Sequence, residues 1–189
     1  EQNICNVVRQ WHYSAENKKS VDMVLVFNGI PIFALELKNQ YTAQNVDNAK
    51  TQWMYDRDPR ELCFQFNKRI LAYFCVDHTD VFMTTKLAKG DTYFLPFNQG
   101  SNGAGVTGGA GNPQNPNGYA TSYLWEEVLQ RDSMLDLIHR FISFVKEKEE
   151  VVKNGVSKTI TKEKMIFPRY HQYDVVKKVL ADVKQNGVG

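Results

Sequence analysis

The stretch 21-VDMVLVFNGIPIFALELKNQ-40 decides the fold, because it has the pattern of two β-strands joined by a tight turn. Two apolar runs flank Asn28-Gly29, and this dipeptide between such runs is a strong signal for a β-hairpin. Three charged residues, Asp22, Glu36 and Lys38, interrupt the apolar pattern. Because burying an unpaired charge is costly, we predict that these charges form a site.

The register of the hairpin decides whether Asp22 and Glu36 can meet. Side chains alternate along a strand, and residues opposite each other in an antiparallel pair share one face. A two-residue loop at Asn28-Gly29 pairs Asp22 with Leu35 and leaves Glu36 on the wrong face. A loop one residue longer pairs Asp22 with Glu36. We therefore predict a three-residue loop or an equivalent β-bulge.

Two carboxylates beside an ammonium group suit a Mg²⁺-dependent phosphodiesterase, because Mg²⁺ prefers oxygen ligands. The alternative is a strand-end ion pair between Lys38 and Asp22 or Glu36, which contributes little stability when it is exposed. The Glu-x-Lys spacing alone is weak evidence, since residues 182–184 (DVK) have an equivalent spacing in a helical pattern. The strand context and the partner Asp22 distinguish the hairpin from that second occurrence.

Composition limits the class of protein. The 189 residues allow one substantial domain, and hydrophobic and aromatic fractions of 42% and 12% suffice for a packed core. A net charge of +2 does not by itself indicate nucleic-acid binding. The sequence has no signal peptide and no apolar run long enough to span a membrane. Its three cysteines lack zinc-ligand spacing and suit a reducing compartment, so we expect a cytoplasmic protein.

The order of patterns predicts an α/β fold, with a central mixed β-sheet flanked by helices. Besides the hairpin, we predict a helix over 42–56 and a surface loop over 98–118, which is rich in Gly and Asn and has no charged residue. Further strands are predicted at 6–13, 69–76, 81–85 and 92–95.

The C-terminal part of the chain is predicted to be helical. We expect a helical segment over 121–149, a linker that contains Asn154-Gly155, and a final helix after Pro168. This divides the chain into a main domain, 1–150, and a C-terminal piece, 151–189, that belongs to a second domain. Because the chain has no initiator Met and its first residues already have a strand pattern, we expect a piece of a longer polypeptide.

Other polar residues give weaker predictions. Gln52 lies one to two helical turns beyond the hairpin and can be aimed at its charges, with Tyr55 on a neighbouring part of the same helix face; the alternative is an exposed glutamine. Arg57 and Arg60 are candidates for contacts to DNA phosphates, although charges near turns are usually only solvated. The four histidines are scattered, without paired metal-ligand spacing. No GxxxxGK[ST] motif is present, so the chain is not expected to hydrolyse ATP by itself.

Longer motifs give the chain a family resemblance. It resembles the restriction (R) subunit of type I restriction–modification enzymes, over the N-terminal endonuclease region and the entrance to the helicase motor. The segments that carry the resemblance are VVRQWHY (7–13), VDMVLVFNGIPIFALELKN (21–39), TQWMYDRDPRE (51–61), VFMTTKL (81–87), DTYFLPFNQGSNG (91–103), GAGNPQNPNGY (109–119), TSYLWEEVLQRDSMLDLIHRF (121–141) and FPRYHQYDVV (167–176).

The resemblance implies a PD-(D/E)xK nuclease fold and a role for each residue that matches its motif. Asp22 matches the first acidic metal ligand, Glu36 the second, and Lys38 the catalytic lysine. Gln52 matches the glutamine of a downstream QxxxY motif. The strict tyrosine position of that motif holds an aspartate here, and Tyr55 comes one residue early, so the role of the tyrosine is left open.

The resemblance also implies cofactors and partners. The carbonyl oxygen of Leu37 is expected as a further Mg²⁺ ligand. Gln172, with Arg169 beside it, matches the element that reads the adenine of ATP in the motor. The complete subunit is expected to translocate double-stranded DNA with ATP and to act with a methyltransferase (M) and a specificity (S) subunit. The alternative is a non-catalytic DNA-binding or anchoring module that couples the motor to the methyltransferase.

Overall fold

The computed structural model describes residues 3–153 and 156–187, and it confirms the α/β fold with a mixed sheet. Six strands, taken in chain order, form one sheet in that same order. The third and fourth strands run parallel, and the other neighbours are antiparallel. The strands are β1 (Cys5–His12), β2 (Ser20–Phe27), β3 (Ile30–Leu37), β4 (Ala72–Val76), β5 (Val81–Thr84) and β6 (Leu95–Pro96).

Of the two predicted alternatives for the hairpin formed by β2 and β3, the structure has the bulge and not the three-residue loop. The turn has two residues, Asn28 (φ 48°) and Gly29 (φ 84°), and both lie in the left-handed region. Ile32 is the extra residue of a bulge in β3, where the register shifts. The last pair of the ladder is Met23 and Leu35. Because of the shift, the next residues along the two strands, Asp22 and Glu36, lie opposite each other. They share one face, since side chains opposite each other point the same way.

The helix after the hairpin is shorter than predicted. A single 3-10 turn (Gln40–Thr42) comes first, and Ala43 then takes a left-handed φ of 58°. Helix α1 (Val46–Thr51) begins behind Asn45, whose side chain accepts a hydrogen bond from the backbone N–H of Asp47. It continues as one π-helical turn over Gln52–Asp56. This helical segment connects the parallel strands β3 and β4.

Each face of the sheet packs against its own core. On the first face, the α1 segment buries Trp53 completely, and the indole N–H donates to the carbonyl of Phe74 at 3.1 Å. Ala34 belongs to this core, so Glu36, two residues further along β3, faces the same side. The opposite face packs against the C-terminal half of the chain, through a cluster that includes Phe33, Phe74, Phe97, Leu124, Leu137, Phe167 and Tyr170.

Two predicted strands are shorter than expected, and the predicted loop has internal hydrogen bonds. β4 begins at Ala72, and β6 is confined to Leu95–Pro96, because Thr92 is held in a turn by a hydrogen bond that its hydroxyl accepts from Ala88 N–H. Segment 98–118 contains no helix or strand, as predicted. It nevertheless folds back on itself. The Gly100 N–H donates to the Gly111 carbonyl at 2.9 Å, and the Ser101 N–H donates to the Gly109 carbonyl.

The prediction of a helical segment over 121–149 is wrong beyond Phe141. A π-helical turn (Leu124–Val128) and helix α2 (Arg131–Asp136), which continues as a π-helical turn to Phe141, are followed by a second β-hairpin. Its strands are β7 (Ser143–Lys153) and β8 (Val156–Ile166), where a linker was predicted. Asn154-Gly155 lies outside the described residues.

Charge pairs across the second hairpin give the physical reason for the difference. Lys146 and Glu163 face each other in the ladder, with Nζ 2.9 Å from Oε1. Lys164 contacts Glu147 at 2.5 Å diagonally across the ladder, where Lys164 is paired with Val145 and Glu147 with Lys162. Opposite charges across an antiparallel pair stabilise it, whereas the same Lys/Glu alternation along the chain resembles a solvated helix end.

The last helix, α3 (Tyr170–Asn186), packs on the sheet through its first turn. Phe167, Tyr170 and Tyr173 are buried in the core of the second face, and the Tyr170 hydroxyl accepts a hydrogen bond from Gln99 at 2.8 Å. The proposed domain boundary at residue 150 stays a prediction. Over the described ranges, no helix has both the length and the apolar character that crossing a membrane requires.

Candidate active site

The structure brings together the three charged residues of the hairpin at its outer end. Asp22 Oδ2 accepts a hydrogen bond from the backbone N–H of Leu37 at 2.9 Å, which ties the start of β2 to the end of β3. Lys38 Nζ lies 4.0 Å from the same oxygen. Glu36 is fully buried, whereas 23% of the Asp22 side chain and 11% of the Lys38 side chain are exposed. The charges therefore form one compact group, open to solvent on the side of Asp22.

Gln52 joins this group from the π-helical turn after α1. Its side-chain oxygen accepts a hydrogen bond from Lys38 Nζ at 2.5 Å. Tyr55 is 68% exposed and lies against Gly90, where an added Cβ would be 3.3 Å from the tyrosine hydroxyl. The structure therefore places the predicted glutamine beside the lysine, and it turns the tyrosine outward.

Arg57 belongs to this site, although it was predicted from the sequence to contact DNA phosphates. Only 3% of it is exposed, and it donates to Glu36 Oε1 through Nε at 3.0 Å and through Nη2 at 2.6 Å. Nη2 also donates to the carbonyl of Ser20 at 2.7 Å. This burial is incompatible with the predicted contact of Arg57 with DNA phosphates, and that prediction is corrected. A clue was available in the sequence: a glutamate on the buried face of a strand requires a cationic partner.

The second oxygen of Glu36 has no such partner in the described ranges. Oε2 is buried and accepts no hydrogen bond from any group in the described part of the chain. Burial raises the pKa of Glu36 to about 8, with Arg57 opposing the change and the neighbouring Asp22 carboxylate adding to it. The two carboxylates therefore disfavour each other's negative charge, and a cation bound between them would relieve that repulsion.

The oxygens at this place fit a divalent cation. Asp22 and Glu36 contribute carboxylates. The Leu37 N–H donates to Asp22 on β2, and the Leu37 carbonyl points toward the same neighbouring strand, because both groups of one strand residue point to the same side. Carboxylate and carbonyl oxygens are the hard ligands that Mg²⁺ and Mn²⁺ prefer. Within residues 3–153 and 156–187, no group of three or more His, Cys, Asp or Glu residues could hold a metal. A site here would consist of two carboxylates and a backbone oxygen.

The remaining predicted binding residues lie at the surface. The Arg60 side chain is 84% exposed, and its guanidinium contacts Asp58 at 2.7 Å, which partly neutralises it. Gln172 accepts a hydrogen bond from the Arg169 backbone N–H at 2.9 Å and so caps its own helix. These contacts are local, and the proposed roles of Arg60 in DNA binding and of Gln172 and Arg169 in ATP binding stay predictions.

The fold and the site define an α/β protein with two acids and a lysine at the open end of a bulged hairpin, next to a parallel βαβ unit. Residues 1–92 match the family model described as type I restriction enzyme R protein N terminus. Over these residues the chain is similar to the N-terminal part of that R protein, and the predicted resemblance is confirmed there. Comparisons with curated proteins and with solved structures gave no match.

Proposed function

We propose that this chain contains the nuclease domain of a type I restriction enzyme R subunit, a Mg²⁺-dependent endonuclease of the PD-(D/E)xK type that cleaves double-stranded DNA. One observation carries the proposal. Glu36 Oε2 is buried beside the Asp22 carboxylate and has no hydrogen-bond partner among the described residues, and Lys38 Nζ lies 4.0 Å from Asp22 Oδ2. A purely structural ion pair would use its acceptors, because leaving a buried polar atom unpaired is costly.

The protein groups around the metal have separate tasks. Asp22, Glu36 and the Leu37 carbonyl would hold Mg²⁺, which when bound polarises a phosphate and lowers the pKa of a water molecule. Arg57 anchors Glu36 through Oε1 and leaves Oε2 free for the cation.

Lys38 and Gln52 act on the substrate side of the site. Gln52 holds the Lys38 ammonium through its 2.5 Å hydrogen bond, so the lysine loses little conformational freedom when DNA binds. In that position Lys38 orients the attacking water or neutralises negative charge that develops on the phosphate, which is the kind of preorganised electrostatic stabilisation that lowers barriers most.

The family supplies the setting of the proposal. In the complete R subunit, a motor translocates DNA with ATP, and Gln172 with Arg169 reads the adenine. The M and S subunits mark and recognise the DNA in the cytoplasm. The nuclease domain then needs only contacts to phosphates, such as one from Arg60, and these carry no sequence information. The small net charge of +2 agrees with DNA being delivered by the complex.

A second candidate function is a non-catalytic module that anchors the motor to the methyltransferase. The buried pair of Arg57 and Glu36 favours it, because that pair holds the hairpin to the chain after α1 without any metal. Binding of Mn²⁺ to the chain separates the two functions. The nuclease requires Mn²⁺ binding that is lost in Glu36→Gln, a variant that keeps an acceptor for Arg57. The anchoring module requires no metal.

The deciding experiment uses the complete R subunit assembled with M and S subunits. Lys38→Ala should lower plasmid cleavage by at least about 10²-fold, while ATP hydrolysis measured in parallel is preserved. Lys89→Ala is the matched control, since Lys89 is an exposed lysine outside the site. Cleavage by Lys38→Ala at the wild-type rate would refute the nuclease assignment.

A further inference from the structure

Gln10 has an unusual backbone at the centre of β1. Its φ is +47°, in the left-handed region that side chains other than Gly and Asn rarely adopt. The neighbours keep the regular ladder, since Arg9 pairs with Met23 and Trp11 pairs with Val21. Gln10 therefore stands opposite Asp22 but outside the regular pairing. Strain of this kind persists where the surroundings enforce it, and it is concentrated at functional sites.

The side chain of Gln10 is aimed at Asp22. Its amide nitrogen donates to Asp22 Oδ1 at 3.3 Å, and its amide oxygen accepts from the Ser20 hydroxyl at 2.9 Å. The carboxylate fixes which end of the amide faces it, because an ionised carboxylate only accepts and only the amide nitrogen can donate. The Ser20 hydroxyl then holds the other end of the amide by donating to its oxygen. Asp22 Oδ2 is held by the Leu37 N–H at the same time. Each oxygen of Asp22 thus has one neutral donor.

We propose that Gln10 is a positioning residue of the metal site: its amide holds the Asp22 carboxylate in the orientation that binds the cation. The inference rests on the proposed function. A neutral donor suits the task, because it orients the carboxylate without cancelling the negative charge that attracts Mg²⁺. Partners that orient metal-binding carboxylates commonly change metal affinity by about 10–100-fold when removed.

Gln10→Gly separates this role from a structural one. Glycine adopts a positive φ without strain, so the variant keeps the backbone of β1 and loses only the amide. We expect the dissociation constant for Mn²⁺, measured by calorimetry on the 189-residue chain, to rise at least about 10-fold. The melting temperature should stay equal or increase. Asn67→Gly is the matched control, since Asn67 is an exposed amide residue with a φ of 56°, and it should leave Mn²⁺ binding unchanged.

A second variant keeps the test informative if Gln10→Gly folds poorly. Ser20→Ala removes the hydroxyl that orients the amide and should weaken Mn²⁺ binding by a smaller factor. If the wild type binds Mn²⁺, Asp22→Ala abolishes it, and both Gln10→Gly and Ser20→Ala bind as the wild type does, Gln10 has no positioning role and the metal site stands. If the wild type does not bind Mn²⁺, or Asp22→Ala binds it equally well, the metal site and the role of Gln10 are both refuted.

Discussion

Arg57 directs two hydrogen bonds to one oxygen of Glu36, Oε1, while Oε2 of the same carboxylate is left without a donor among the residues that the structure describes. The pair therefore has two functions at once. It compensates the burial of a charge inside the fold, and it leaves the second oxygen of Glu36 free in the neighbourhood of the Asp22 carboxylate, which raises the Glu36 pKa.

Arg57→Ala should destabilise the protein strongly. The variant leaves Glu36 buried without its cation, and breaking a buried pair from one side typically costs about 3–5 kcal/mol. Urea denaturation of the purified chain measures the free energy of unfolding. Arg60→Ala removes an exposed arginine from the same region and should leave the denaturation midpoint unchanged. An Arg57→Ala protein as stable as the wild type would show that the pair does not compensate the burial of Glu36.

Gln52→Ala should slow DNA cleavage without weakening metal binding. The substitution removes the hydrogen-bond partner of Lys38 and leaves the carboxylates untouched. Because misplacing a catalytic group by about 1 Å can cost about 10²-fold in rate, we expect a loss of that order in single-turnover plasmid cleavage by the assembled enzyme. Gln44→Ala, at an exposed position near the start of α1, is the control. Equal rates for Gln52→Ala and Gln44→Ala would argue that Gln52 does not position the lysine.

Gly29→Ala should destabilise the hairpin through the backbone alone. Gly29 has a φ of 84°, and apart from its two chain neighbours no described residue has an atom within 4 Å of a Cβ added there. The left-handed conformation costs an L-residue about 1–2 kcal/mol, which thermal or urea denaturation can detect. Gly118→Ala serves as the comparison, since an added Cβ would meet an asparagine side chain at an ordinary 3.4 Å. The idea fails if both variants are equally stable.

Asp77 should make stability depend on pH in the acid range. Burial raises the pKa of Asp77, but hydrogen bonds from the backbone N–H groups of Thr79, Asp80 and Val46 outweigh it, so the pKa is lowered. A lowered native pKa stabilises the fold above the unfolded value of about 3.9, and this stabilisation is lost as the pH falls through the native value.

The difference in unfolding free energy between the wild type and Asp77→Asn should therefore be largest near neutral pH. It should shrink as the pH falls below about 4. Urea denaturation at several pH values measures it, and Asp91→Asn controls for the loss of one exposed charge. A difference that stays constant down to about pH 2 would contradict the role assigned to the hydrogen bonds of Asp77.

The second hairpin shows where local patterns fail. The run Lys146 to Glu150 has the composition of a solvated helix end, and nothing within it indicates a strand. Its conformation depends on β8, whose Glu163 and Lys162 face it across the ladder. Pairing between strands depends on two segments at once, so the evidence for β7 lies outside β7.

The sequence by itself determined the hairpin and the common face of Asp22 and Glu36, because the turn residues and the two-residue alternation of strands are local properties. It left a three-residue loop and a bulge as alternatives, and the structure has the bulge. It also determined which residues resemble the R-protein family. Only the tertiary structure decided that Arg57 is buried against Glu36 and that Gln10 is aimed at Asp22. The residues of the first pair are separated by 21 positions and meet only because the chain returns after the α1 segment. The second pair depends on the left-handed backbone of Gln10, a φ of 47° that no pattern of side chains along β1 predicts.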